Sequence, residues 1–510
     1  MVPAGNHGKY PSGLTSLLPL GIARWLGHPS HPSGPLGAVS RIGATNLRRT
    51  IIYCRCGPAE NAADKEATVP NSVALTIHLL VQLTVVLGAC RLAGALLGRL
   101  GQPQVVADMI AGFALGPVAL GLLAPPVQQA LFPRELELAG VTVAHPSAQI
   151  LHVLGQLGVT LFMFLVGLSF DGAGAIRHLR SATTTAAASL AGPLLIGSLL
   201  GLALVGGALG VDGSDAGWFG PDTPGWQAAW FLGLAVAVSA FPVLARILEE
   251  TGATRTTVGT VALACAATDD AVAWMMLAAL MATAGAAAHL GVLAVAGGLA
   301  YVAVLVALRP LLRRLARWAT EGGDTLRPAA LGSVLVLLTA CAATTEAIGL
   351  HAVFGAFVCG LVMPRELTAH LTGRIAPLTT TLLLPLFFAS AGLRIVTDTL
   401  LDPRGWLVLV AVVLVAVLSK GGVSALVARW SGLSWSQSAS VGALLNARGL
   451  MELVLIDVAL RAGLIGPKLY TVLALMTMVT TFAAAPVFTL TRRHWPAATA
   501  PVPVDRVPAG

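Results

Sequence analysis

The sequence predicts an all-α polytopic membrane protein of about thirteen transmembrane helices, built as inverted repeats with two broken helices that cross. Three observations predict it. Of 510 residues, 56% are apolar and only 11% charged, against about 25% charged in soluble domains, and mean hydropathy is +0.82. Apolar runs long enough to cross about 30 Å of hydrocarbon recur along the chain. Two of those runs carry helix breakers at matching places.

The runs fall near 71–96, 103–124, 148–170, 181–206, 227–248, 256–284, 289–310, 328–347, 350–364, 376–395, 405–428, 437–460 and 468–491. With the first span starting outside, fifteen basic residues lie in inner loops, among them Arg99, Arg177, Arg255, Arg313 and Arg492. Five lie in outer loops: Arg134, Arg394, Arg404, Arg461 and Lys468. That asymmetry follows the positive-inside rule. The outer loop 207–226 is acidic and aromatic, with Asp212, Asp215, Trp218, Asp222 and Trp226, which agrees.

Residues 1–68 differ in kind. They are rich in Gly, Pro, Ser and His, hold no acidic residue before Glu60, and their apolar stretch Leu14 to Leu26 is too short to span. This leader reads as a disordered basic segment; a transit peptide and translation from an upstream start are the alternatives. Residues 69–495 form the transmembrane domain and 496–510 a short cytoplasmic tail. The expected site is the cell membrane, or an organelle membrane if the leader is a transit peptide. The net charge of +8 comes from loop arginines, and no basic patch interleaved with aromatics suggests nucleic acid. Four of the six cysteines lie within spans, and Cys54-Arg-Cys56 is too isolated for zinc, so no disulfide, transition metal or cofactor is implied.

The chemistry sits in the run Val258 to Leu280, which holds Thr268, Asp269 and Asp270. A carboxylate at membrane depth costs roughly 2.5–3.5 kcal/mol on insertion scales. Two neighbours also repel, so at least one is expected to carry a proton part of the time. Proton and a hard monovalent cation, Na⁺ or K⁺, would compete for the Asp270 carboxylate, and that competition couples their fluxes. Thr268 and Asp269 would add oxygens. The alternative is a structural pair neutralised by neighbouring helices.

Span 227–248 carries Ser239-Ala-Phe-Pro242 at its middle, where proline removes a backbone hydrogen bond and clashes with the preceding turn. Span 437–460 carries Asn446-Ala-Arg448-Gly449. Each is the middle member of a three-span set, 181–284 and 405–491, and such paired interruptions point to a midplane ion site. Carbonyls freed around Pro242 are expected to help bind cation. Of only four lysines against 27 arginines, Lys420 alone lies within a span. A buried lysine can exchange its proton, which arginine cannot, so Lys420 is expected to partner the Asp270 site, with snorkelling as the alternative. Arg448 and Glu452, one turn apart, are expected to form an internal ion pair, with Arg448 neutralising charge or partial dipoles where the broken helices meet and direct ion binding as the alternative. Asp108 is buried by sequence and stands as an access-path acid or a residue of a dimer face. Glu346 and Asp457 lie near span ends and read as solvated; His78, His152 and His351 read as isolated.

At these residues the chain resembles the monovalent cation:proton antiporter-2 family. The resemblance covers about 95–492 and rests on Gly112-Phe-Ala-Leu-Gly-Pro117, Phe164-Leu-Val-Gly-Leu168, Ser239 to Arg246, Ala266 to Asp270, Gly355 to Leu361, Pro385 to Leu393, Lys420 and Arg448-Gly449, in that order. The Ser239 to Arg246 and Leu386 to Arg394 wording is similar to the cation/proton exchanger branch. The resemblance implies the sodium/proton antiporter fold and a homodimer. Core helices at about 181–284 and 405–491 would move against dimerising and linking helices by elevator-like alternating access. It also implies that Asp270 is the ion-binding aspartate and Lys420 the basic partner. Ser169 departs from an acidic residue common there, and Asp108 replaces a glutamate. No Gly-rich βαβ pattern follows residue 492, so no nucleotide-binding regulatory domain is expected. Two competing readings are a sodium-coupled organic-anion transporter of similar fold and an intramembrane aspartyl protease. The second needs its carboxylates facing each other from different helices, whereas these neighbours point roughly 100° apart on one helix.

Overall fold

The computed structural model describes residues 71–495 apart from 134, 139–140, 145, 170–178, 212–214, 216, 255, 285–287, 321–326 and 349–350. The basic leader, the tail 496–510, and Arg134, Arg177, Asp212 and Arg255 of the topology argument lie outside the described residues. Nine helices among the described residues are long and apolar enough to cross a membrane, against thirteen expected spans. Three shorter apolar helices, Gln104–Ala114, Ala296–Ala307 and Ala352–Val362, occupy three further expected positions.

The helices that matter for the site are α1 (Asn71–Gly98), α2 (Gln104–Ala114), α3 (Pro146–Ser169), α4 (Leu179–Val205), α5 (Gly225–Ala237), α6 (Phe241–Glu250), α7 (Thr257–Ala284) and α8 (Ala288–Ala307). They continue with α9 (Arg309–Thr320), α10 (Pro328–Ala347), α11 (Ala352–Val362), α12 (Thr368–Leu378), α13 (Leu384–Leu393), α14 (Pro403–Ala416), α15 (Val423–Trp430), α16 (Trp435–Leu445), α17 (Leu450–Arg461) and α18 (Pro467–Arg492). A small antiparallel hairpin, β1 (Glu135–Leu138) paired with β2 (Val141–Ala144), interrupts the helical pattern.

Two packing groups emerge. Helices α1, α2, α3, α10, α11 and α13 pack mainly on one another, and α4 to α7 with α14 to α18 form the second group. Helix α8 touches both, and its Tyr301 hydroxyl donates to the Gly355 carbonyl of α11 at 2.8 Å. Lipid tails offer no hydrophobic drive to bring helices together, so close contact depends on small residues. A Cβ on Gly112 would collide with the Phe388 backbone, and one on Gly392 with Gly112. Gly167 and Gly360 stand in the same relation across α3 and α11. Much of the sequence motif wording is therefore the contact surface of the first group.

The two interrupted spans are broken helices. Pro242 falls in the first turn of α6, where its missing N–H leaves no gap in a ladder. Helix α5 stops at Ala237 and Val238 turns to extended backbone. In the other span, α16 opens on a capping box between Ser434 and Gln437 and ends before Asn446. Gly449 then takes φ 155°, ψ −125° before α17 begins. The breaks meet: Ala240 N–H donates to the Ala447 carbonyl at 2.9 Å, and Ser239 Oγ to the Leu445 carbonyl at 2.7 Å.

Candidate ion site at the crossed breaks

An interrupted helix leaves carbonyls without partners at one cut end and N–H groups at the other, with partial charges to match. At the end of α5 each carbonyl is accounted for. Leu234 accepts from Val238 N–H at 3.2 Å, and Ala235 from Arg448 Nη1 at 2.6 Å. Val236 accepts from Arg448 Nη2, and Ala237 from Lys420 Nζ at 2.6 Å. Two protein cations thus already neutralise the Ala235, Val236 and Ala237 carbonyls, the part of the break nearest α5. The negative end of α5 draws both.

Lys420 lies in a π-helical turn, Val417–Gly422, between α14 and α15. Such turns shift the helix register by one residue and recur at functional sites. The ammonium is fully buried and uses all three donors, to Ala237, to the Ser189 carbonyl at 3.0 Å and to Asp269 Oδ2 at 2.6 Å. Snorkelling is excluded by this burial. The partner also differs from the expected one, because Lys420 takes Asp269 rather than Asp270.

Asp270 faces the opposite cut end. Its Oδ2 accepts from the Phe241 N–H, the first of α6, at 3.3 Å, where the helix presents positive partial charge. Its side chain is buried, and Oδ1 finds no hydrogen-bond partner among the described residues. The two aspartates, about 100° apart on α7, therefore address two ends of one broken helix. Thr268 is not brought to them: its exposed hydroxyl donates back to the Ala264 carbonyl at 2.9 Å.

Arg448 meets Glu452 Oε2 at 3.3 Å, the expected i, i+4 pair, and both are fully buried. Thr481 accepts from the Arg448 N–H at 3.0 Å and anchors the break to α18. Asn446 donates from Nδ2 to the Val417 carbonyl at 3.4 Å, tying the second break to the turn that carries Lys420. Among these residues two cations face three carboxylic acids. Asp269 and Glu452 have cationic partners; Asp270 has none.

A cavity of about 340 Å³ opens on this region between the two helix groups. It is lined by Asp108, Gln104 and Cys90 on one side and by Pro242, Ala245, Arg246 and Glu249 of α6 on the other. Charge placement assigns this end to the inside. Asp108 Oδ1 accepts from Gln104 Nε2 at 2.7 Å. Pro242 adjoins the Phe241 that binds Asp270, so the cavity reaches to within one residue of the site.

The description "sodium/hydrogen exchanger, transmembrane" matches residues 84–491 as a family model. The chain belongs to that family. Membership makes it a multi-pass secondary transporter of the cation/proton antiporter class and displaces the protease reading. The exchanger is 31% identical over 412 residues to the Na⁺/H⁺ antiporter NhaS4 of Synechocystis, covering 80% of this chain and 95% of that one. It is 30% identical over 432 residues to K⁺/H⁺ antiporter 1 of Saccharomyces cerevisiae, covering 82% of this chain and 46% of the yeast protein. Cation/H⁺ antiporter 17 of Arabidopsis thaliana is 31% identical over 414 residues, with 80% and 47% covered. The exchanger thus spans about half the length of the plant and yeast relatives. In fold it is similar to the sodium proton antiporter MjNhaP1 of Methanocaldococcus jannaschii, with a TM-score of 0.57 at 13% identity, covering 82% of this chain and 99% of that one.

Sequence reasoning missed one polar cluster in this exchanger. Asp457 is not solvated but buried on α17, paired with Arg394 and with Arg461. His152 is not isolated either, since its Nδ1 lies 3.2 Å from Arg394 Nη2. The signal was present in Leu453-Val-Leu-Ile-Asp457, a charge closing an apolar run. Glu346 remains exposed and accepts the Ala352 N–H at 2.7 Å.

Proposed function

We propose that the protein exchanges protons for a monovalent cation, Na⁺ or K⁺, through competition at Asp270. One observation carries this reading. Asp270 is a buried carboxylate with a free oxygen, facing the N-terminal end of α6, one residue from a cavity that Gln104, Asp108 and Glu249 help to line. An unpaired buried carboxylate costs several kcal/mol, so a proton or a cation must neutralise it in each state. Both cannot do so at once. The Lys420–Asp269 pair stands beside it, and displacing Lys420 would open a second carboxylate to an arriving cation.

Asp108 serves as an acid on the access path, since it lines the cavity leading to Pro242. The separation of the helices into two groups joined by α8 supports elevator-like movement of the α4–α7 and α14–α18 group, with the other group as the dimerising scaffold. Exchange in proteoliposomes, followed with a pH-sensitive dye while Na⁺ and K⁺ are scanned, tests the reading. Asp270→Asn is expected to lose at least tenfold in exchange while the chain remains folded and dimeric by size. Wild-type exchange in that variant would move the site elsewhere.

A further inference from the structure

The two helix groups are parted by the cavity over part of one end, where Gln102 Nε2 still donates to the Phe482 carbonyl at 2.8 Å, and are joined by a larger set of bonds at the other. At the closed end Asp457, one turn before the end of α17, uses both oxygens. Oδ1 accepts from Arg394 Nη1, at the end of α13, and Oδ2 from Gln156 Nε2 of α3 at 3.1 Å and from Arg461 Nε at 3.0 Å. Arg394 and Gln156 belong to the first packing group, while Asp457 and Arg461 belong to the second, the one proposed to move. Two neutral bonds join the same groups nearby: Tyr470 hydroxyl to the Ala391 carbonyl at 3.2 Å, and Val396 N–H to Thr471 Oγ1 at 3.0 Å.

Helix electrostatics give no reason for an acid at this position. A carboxylate near the C-terminal end of a helix gains nothing from the dipole, whose negative end lies there. Its stabilisation comes from the arginines. The side chains also differ from the Lys420–Asp269 pair in their surroundings. Asp457 is 5% exposed but Arg394 is 29% and Arg461 45% exposed, whereas Lys420 and Asp269 are both at 0%. When its carboxylate leaves, Arg394 can take up water, and Arg461 travels with Asp457 on the same helix. A charged contact of this kind is reversible, because neither partner is left as a dry unpaired charge.

We infer that Asp457 is a positioning residue for alternating access. Its ion pair with Arg394 holds the two helix groups together while the cavity is open at the opposite end, and the pair parts in every cycle. The inference rests on the proposed movement of one group against the other. It adds a specific contact that sets the balance between the two states.

The test uses full-length chains in liposomes, with Ala245, which lines the cavity, replaced by Cys and Cys90 replaced by Ala. In that background Asp457→Asn is expected to slow maleimide labelling of position 245 by up to about fivefold, the shift in the two-state equilibrium constant that a loss of roughly 1 kcal/mol produces. Arg394→Gln should do the same, and Asp457→Glu should restore parental labelling. Unchanged labelling in both Asp457→Asn and Arg394→Gln overturns the inference. A second pair, Arg394→Cys with Asp457→Cys, is joined by a short cleavable thiol crosslinker. Exchange is expected to fall at least tenfold on joining and to return on cleavage. Full exchange in the joined protein overturns the inference together with the proposed movement. Blocked exchange combined with unchanged labelling overturns the latch and leaves the movement standing. Loss of exchange in Asp270→Asn bears on the ion site alone.

Discussion

Lys420 binds Asp269 and leaves Asp270 to the N-terminus of α6. The ammonium sits 2.6 Å from Asp269 Oδ2 and 2.6 Å from the Ala237 carbonyl, so one residue joins the aspartate pair to the cut end of α5. The helix break and the candidate ion site are therefore one structure. A change in either should be felt by the other.

Lys420→Ala strips Asp269 of its cation and leaves the Ala237 carbonyl uncovered. Removing one partner of a buried pair typically costs about 3–5 kcal/mol, and thermal unfolding in detergent should show a loss on that scale. Asp269→Asn in the same chain should recover part of it, since the amide carries no unpaired charge. A double-mutant cycle on melting temperatures measures this. Strictly additive losses would show that the two side chains are not coupled.

Gly449 holds a backbone conformation that side chains rarely adopt, and a Cβ there would lie 2.9 Å from Val243 Cγ2. Gly449→Ala should destabilise by about 1–3 kcal/mol and lower exchange as well, because the strain displaces the adjoining Arg448 from the carbonyls of α5. Gly332→Ala is the control. That glycine is exposed on α10 with nothing near its absent Cβ, and the substitution should stabilise by about 0.5–1 kcal/mol. Equal melting temperatures for the two variants would remove the strain argument.

Outside the spans, Asp215 accepts from Lys468 Nζ at 2.7 Å. That bond, and next the Gly217 N–H, hold the Asp215 carboxyl below the ordinary carboxylate value. The pKa in the folded state is thus lower than in the unfolded one. The pair's contribution is complete above the unfolded value of about 3.9 and disappears as pH falls through the folded value. Because both side chains are partly exposed, the contribution is at most about 1 kcal/mol. Asp215→Asn should lower the melting temperature slightly at pH 7 and not at the acid end of a series. A deficit that persists or grows in acid would contradict the assignment.

Charge and breaker residues made much of the site legible in advance. Pro242 and Asn446 to Gly449 mark the breaks because their effect on the backbone is local. Asp269, Asp270 and Lys420 stand out because ionised groups are costly at membrane depth. Thr268 misled because adjacency along a helix turns a side chain about 100° away. Asp457 misled because position near a span end says nothing of what packs above it.

By itself the sequence determined the polytopic helical class, the two interrupted spans and the carboxylates and lysine within them. These follow from each residue's own cost in a bilayer or in a helix, and such costs need no partner. Only the tertiary structure decided which aspartate Lys420 takes, 151 positions away, and that Arg448 reaches carbonyls 213 and 212 positions back. It also decided that Asp457 meets Arg394 across 63 residues. Local periodicity carries no information about such pairings. They are set when two broken helices cross and each charge takes the nearest uncovered dipole.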